Sequence, residues 1–137
     1  MGLLLLLAAP AAWAAPWRTY HSDLGPDQQR RQFQVDEGSL LRRGDRISGQ
    51  ARIRLDEGWS TRLPRSYGFS VLCRAGSLQE TLASLATTYY RHGPQWWSEE
   101  ERRRGGRGVS LDPAVASRNR AMDAQFTALW SFVCQPR

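Results

Sequence analysis

The 137-residue sequence contains no lysine: all 19 basic residues are arginine, set against 13 acidic ones, for a net charge of +6 and a pI near 10.3. Codon bias yields an arginine-only set as readily as selection for phosphate contacts does, so basicity by itself does not mark a nucleic-acid binder. Cysteine and histidine are scarce, with two residues each. No internal repeat is visible. No Walker loop, dinucleotide fingerprint or calcium loop is present, so no cofactor is expected. The longest apolar run, Leu3 to Ala9, is too short for a bilayer span, which takes about 20 residues. A content of 41% hydrophobic and 23% charged residues, with 12 Gly and 7 Pro, excludes collagen-like, coiled-coil and wholly disordered chains. It fits one globular domain.

That apolar run, the following Pro10 and the A-x-A site Ala12-Trp13-Ala14 read as a signal peptide over residues 1–14, with a single domain over 15–137. Cleavage after Ala14 leaves Ala15-Pro16, whereas cleavage after Ala15 would put proline first. The uncharged Met1-Gly2 leaves open a start farther upstream, or a buried core strand in place of a signal. No cysteine follows the run to carry a lipid. Export would place Cys73 and Cys134 in an oxidising compartment as one pair, and a disulfide follows; in a cytosolic chain they would be free thiols. A loop of about 60 residues closed in this way is worth roughly 4 kcal/mol by chain entropy, comparable with the net stability of a small domain. Zinc is disfavoured, since His21 and His92 stand in no metal-ligand spacing.

Downstream, short alternating stretches are separated by turn residues. Trp17 to Ser22 is a strand, and Gly25-Pro26-Asp27 a turn. Gln29 to Asp36 sets Phe33 and Val35 against Arg30, Gln32 and Gln34. Gly38 to Asp45 is a connection. Ile47 to Leu55 puts Ile47, Ala51, Ile53 and Leu55 on one side and Ser48, Gln50, Arg52 and Arg54 on the other, a half-solvated strand. Asp56 to Arg65, with Gly58 and Pro64, is a loop. Tyr67, Phe69, Val71 and Cys73 then alternate with Gly68, Ser70 and Leu72. Leu78 to Tyr90 carries both a helical leucine stripe and strand-forming Thr and Tyr residues, and the balance favours strand. Arg102 to Gly108 reads as a mobile arginine-rich loop. Asp112 as cap, Pro113 at the first position and Val115, Met122, Phe126, Leu129 and Val133 at helical spacing predict a terminal helix closed by Cys134. The fold class is α+β, an antiparallel sheet with this helix on one face.

In Trp17, Phe33-Gln34-Val35-Asp36, Ser39-Leu40, Arg43-Gly44-Asp45, the strand ending at Cys73, Tyr89-Tyr90 before Gly93 and the terminal Cys134, the chain resembles the surface-adhesin protein E-like family, small exported proteins of Gram-negative bacteria. The resemblance spans most of the chain after residue 16. It implies a sheet of about six strands crossed by a C-terminal helix that a disulfide holds. It also implies binding at the cell surface, since the family's namesake recognises extracellular-matrix and plasma proteins and pairs with itself; a homodimer is thus one expected partner.

For catalysis a converging set of groups is needed. His21 lies near Asp23 and His92 near Tyr90, but neither has a G-x-S-x-G context. Glu99-Glu100-Glu101 followed by Arg102-Arg103-Arg104 reads as a solvated, self-compensating segment. Binding features are stronger. Trp17, Trp59, Trp96, Trp97 and Trp130 follow the leader, and tryptophan and arginine are enriched at interaction hot spots. Trp17 and Trp130 sit in periodic segments and read as core. Trp96 and Trp97 are adjacent, so on an extended backbone at least one is exposed unless a partner covers it; otherwise one plugs the core and the other lies flat. Arg102, Arg103, Arg104 and Arg107 among glycines can meet phosphate, sulfate or carboxylate bidentately, or form a merely solvated loop. The expectation is an exported, disulfide-tied, non-catalytic binding module of the periplasm or outer surface. Its partners would be extracellular or envelope proteins or anionic glycans and lipids, with no nucleic acid. The alternatives are an envelope protein that grips anionic glycan or lipid through Trp96, Trp97 and the arginine loop, and a small periplasmic hydrolase.

Overall fold

The computed structural model describes residues 17–25, 28–55, 66–108 and 110–135. The expected signal segment, the expected turn at Pro26-Asp27 and residues 56–65 with Trp59, expected as a loop, lie outside them. The described residues form eight strands: β1 (Trp17–Leu24), β2 (Arg30–Asp36), β3 (Leu41–Arg43), β4 (Arg46–Leu55), β5 (Ser66–Leu72), β6 (Ser77–Leu82), β7 (Leu85–His92) and β8 (Gln95–Ser98). A short helix α1 (Glu99–Arg104) and the terminal α2 (Pro113–Cys134) follow. The sheet is antiparallel throughout in the order β1-β2-β4-β5-β6-β7-β8, with β3 pairing only the start of β4. The α+β class with its C-terminal helix is therefore correct, with more strands than the six expected.

The alternation in the sequence assigns the faces. Val35 pairs with Ala51, Ile47 with Val71, and Val71 with Leu78, and all of these are buried on the inner face. The outer face is polar, yet Gln34 on it is buried. Its amide donates to Thr19 and accepts from Arg52 Nε at 2.7 Å, and the Arg52 guanidinium in turn covers Trp17, 4.1 Å from its ring centre. Trp17, expected in the core, thus packs on the outer face under an arginine. A bulge between Thr19 and His21 shifts the β1 register by one residue, so that His21 stands opposite Phe33; Tyr20, within the bulge, reaches α2 from the inner side and its hydroxyl accepts from Gln125. Leu78 to Tyr90 is two strands, as favoured, joined at Leu82 and Leu85 through Ala83 in the left-handed region at φ 55°.

A single turn of α2 shows how the sheet is bent. Asp123 accepts the Trp96 backbone N–H of β8 at 2.9 Å, and Thr127 accepts the Trp96 indole N–H at 3.0 Å. Gln125, on the opposite side of that turn, reaches Tyr20 of β1. The first and last strands of a seven-strand path therefore lie about one helix diameter apart, which a flat sheet roughly 29 Å wide could not achieve. The sheet curls and α2 fills the gap. Gln125, Phe126, Leu129 and Val133 are the buried positions of α2, whose N-cap Asp112 accepts from the Ala114 N–H. Val115, expected on the core stripe, is only half-buried, because the first turns of the helix overhang the sheet rather than lie on it.

Cys73, just beyond β5, and Cys134, the last residue of α2, form a disulfide with Cα atoms 5.7 Å apart. Nearby, the Trp130 indole N–H donates to the Cys73 carbonyl at 3.2 Å. Replacing both cysteines by serine should lower stability by about 2–4 kcal/mol, read as a lower urea midpoint; an unchanged midpoint would show that the cross-link adds nothing to packing.

Candidate functional site

Where α2 overhangs, a cleft of about 970 Å³ opens between the helix and the inner face of the sheet. Phe33, Ile53 and Leu82 line the sheet side, and Ala121, Met122 and Phe126 the helix side. At the rim, Arg31 is held by Asp23 through two bonds of 2.8 and 2.9 Å, so that its charge is matched. Arg118 of α2 is exposed.

The interior is polar at one point. Glu80 shares the inner face of β6 with Leu78 and Leu82, so the pleat turns its carboxyl inward. Burial pushes this carboxyl above its ordinary range, offset in part by a hydrogen bond from the Tyr67 hydroxyl. Tyr67 also meets Tyr20, which accepts from Gln125. Both phenols are pushed well up by burial, so they stay protonated. Gln125, Tyr20, Tyr67 and Glu80 thus meet in turn from α2 through β1 and β5 to β6. Tyr89 stands beside Glu80 and packs on Phe126 with ring centres 4.8 Å apart.

The residues singled out from the sequence lie elsewhere. Trp96, with 0% exposure, is wholly within the core. Trp97 is half-buried on the outer face, stacked on His92 at 3.8 Å. The pair therefore divides between plug and flat-lying ring. Arg102 to Gly108 is not the mobile loop expected. Residues 99–104 are helical, started by a capping box in which Ser98 accepts from the Glu101 N–H and Glu101 accepts from the Ser98 N–H. Gly105, at φ 84°, ends the helix. Arg102 covers the Tyr90 ring at 4.1 Å, while Arg103 and Arg104 are exposed.

Arg107 points inward: its two terminal nitrogens bind Asp123 at 2.6 and 2.7 Å, and one also donates to the Trp96 carbonyl at 2.7 Å. Its side chain is 9% exposed and that of Asp123 13%. These contacts lock α2 to β8, so Arg107 has a structural role within the fold. Burial lowers the pKa of His21, whose Nε2 lies 4.0 Å from Asp23.

Two outcomes follow. Asp123→Asn should cost about 2–3 kcal/mol, since it removes the nearer of the two carboxylates set against a shielded guanidinium and leaves only Glu101 at 3.4 Å; a loss under 0.5 kcal/mol in urea melts would refute the lock. Glu80 is raised in the folded state above its model-peptide value of 4.5, so the native chain binds more protons through that window and stability falls as pH rises across it. Glu80→Gln should flatten this slope relative to wild type and leave the chain at least as stable at neutral pH; parallel midpoint-against-pH curves would count against it. Comparisons with family models, with curated proteins and with solved structures find no match to the chain.

Proposed function

We propose that the chain is an exported, non-catalytic binding module of the periplasm or outer surface, of the surface-adhesin protein E-like kind, and that its binding site is the cleft under α2. The observation that carries this reading is the cleft itself. It is already open, mostly apolar, and of the size that small-molecule sites take. Its walls are held by the two-sided grip on α2 and by the Cys73–Cys134 bond, which is the kind of link oxidising compartments sustain. Binding is favoured over hydrolysis because His92 is stacked on Trp97, and the carboxylate nearest His21, Asp23 at 4.0 Å, is already held by Arg31. The arginine-loop alternative loses Arg107 and Trp96 to the interior and retains Arg102, Arg103, Arg104 and Trp97.

Intact mass from a Gram-negative host tests export: loss of residues 1–14 with a deficit of two hydrogens supports it, and an uncut chain with free thiols overturns it. The cleft is tested with N-phenyl-1-naphthylamine, a neutral apolar fluorophore. One molecule should bind per native chain, and Ala121→Trp within the cleft or Ser117→Trp at its mouth should cut affinity at least tenfold with the circular dichroism unchanged. Absence of binding, or full binding by both variants, would overturn the site.

A further inference from the structure

Resting on the cleft reading, we propose that the ligand is an amphiphilic amine, its apolar body lying between the sheet and α2 and its ammonium set against the Glu80 carboxylate. Glu80 is the only acidic residue lining the cleft among the described residues. Its surroundings supply burial and one phenolic hydrogen bond from Tyr67, and among the described residues no cation compensates it. A carboxylate accepts about four hydrogen bonds, so one donor leaves most of its capacity unfilled at the cleft wall. An uncompensated acid on an otherwise apolar strand face costs stability, and a cation entering the cleft is what would recover that cost.

The rings around it suit the same guest. Tyr67 and Tyr89 flank the carboxyl, and Phe126 packs on Tyr89; aromatic faces attract an ammonium most strongly where water is excluded. The rim gives a weaker case for an anionic guest. Arg31 is already paired with Asp23 through both bonds. Arg118 is exposed, so a carboxylate there would displace water for a surface ion pair of little worth. An alcohol of the same length would gain the apolar contacts alone.

Displacement of N-phenyl-1-naphthylamine from the oxidised protein at pH 7.5, below micelle formation, ranks dodecylamine, dodecan-1-ol and dodecanoate. Dodecylamine should displace the probe at a concentration at least tenfold lower than dodecan-1-ol, with dodecanoate weakest. Glu80→Gln should erase the advantage of the amine and leave dodecan-1-ol unchanged. Equal displacement by amine and alcohol, a dodecanoate preference, or an amine advantage that survives Glu80→Gln overturns the inference while leaving the cleft as a site. Failure of the probe to bind the wild-type chain overturns both readings. Should Glu80→Gln not fold, the ranking of the three ligands on wild type still decides.

Discussion

One turn of α2 holds the molecule in its curled shape. Asp123 and Thr127 face β8 and Gln125 faces β1, so the two edge strands of the sheet are tied to opposite sides of the same helix. An open sheet of this width would expose two unpaired edges, and exposed edges invite pairing between chains. Here the helix stands between them. The ties are polar and shielded, so they are specific in a way that apolar packing alone is not: Arg107 satisfies Asp123 while also reaching the Trp96 carbonyl, which joins the segment after α1, β8 and α2 at one point. The disulfide then fixes the far end of the same helix beside β5.

The cleft is a consequence of that arrangement. The buried positions of α2 begin only at Gln125, and the preceding turns roof the cleft rather than seal it. A chain optimised for stability alone would lower this end onto the sheet and replace Glu80 by a leucine, matching Leu78 and Leu82 on the same face. Retaining a carboxyl there trades stability for a chemical feature, which is the ordinary signature of a site. The tyrosines soften the trade, since the Tyr67 hydroxyl meets the carboxyl and Gln125 anchors the chain to the helix.

Much of this was legible in the residue order. The alternation in β2, β4 and β5 and the Asp112-Pro113 start of α2 place those elements directly, because pleat and cap each act over a few residues. The β6–β7 turn was harder: Leu82-Ala83-Ser84-Leu85 lacks the glycine or asparagine that marks a tight hairpin, and Ala83 takes the left-handed conformation without that cue. Helix α1 has its signal in Ser98 and Glu101 at capping-box spacing, but the charge run Glu99 to Arg104 before Gly105 reads equally as a solvated loop. The Glu80 site also had a signal, an acid at core parity between two leucines. The partnership of Arg107 with Asp123 had none, because only the packing of α2 against β8 brings them together.

The arginine content finds much of its account in the same packing. Guanidinium groups lie over Trp17, Trp130 and Tyr90 at 4.1, 4.3 and 4.1 Å from the ring centres, and over Phe33 at 5.1 Å. The first three of these arginines shield an aromatic ring at or near the surface while keeping contact with water, something a planar, weakly hydrated cation does better than an ammonium. Arg52 shows the combination most plainly, stacking on Trp17 while it donates to the buried Gln34. Lysine in its place would keep the charge and lose both the planar stack and the directed N–H. The excess of positive charge is then in part a by-product of covering aromatic surface, and does not by itself require a polyanionic partner. A cationic guest meets that excess as repulsion from outside, so whatever selectivity the cleft has for an amine must come from the carboxylate and rings within it.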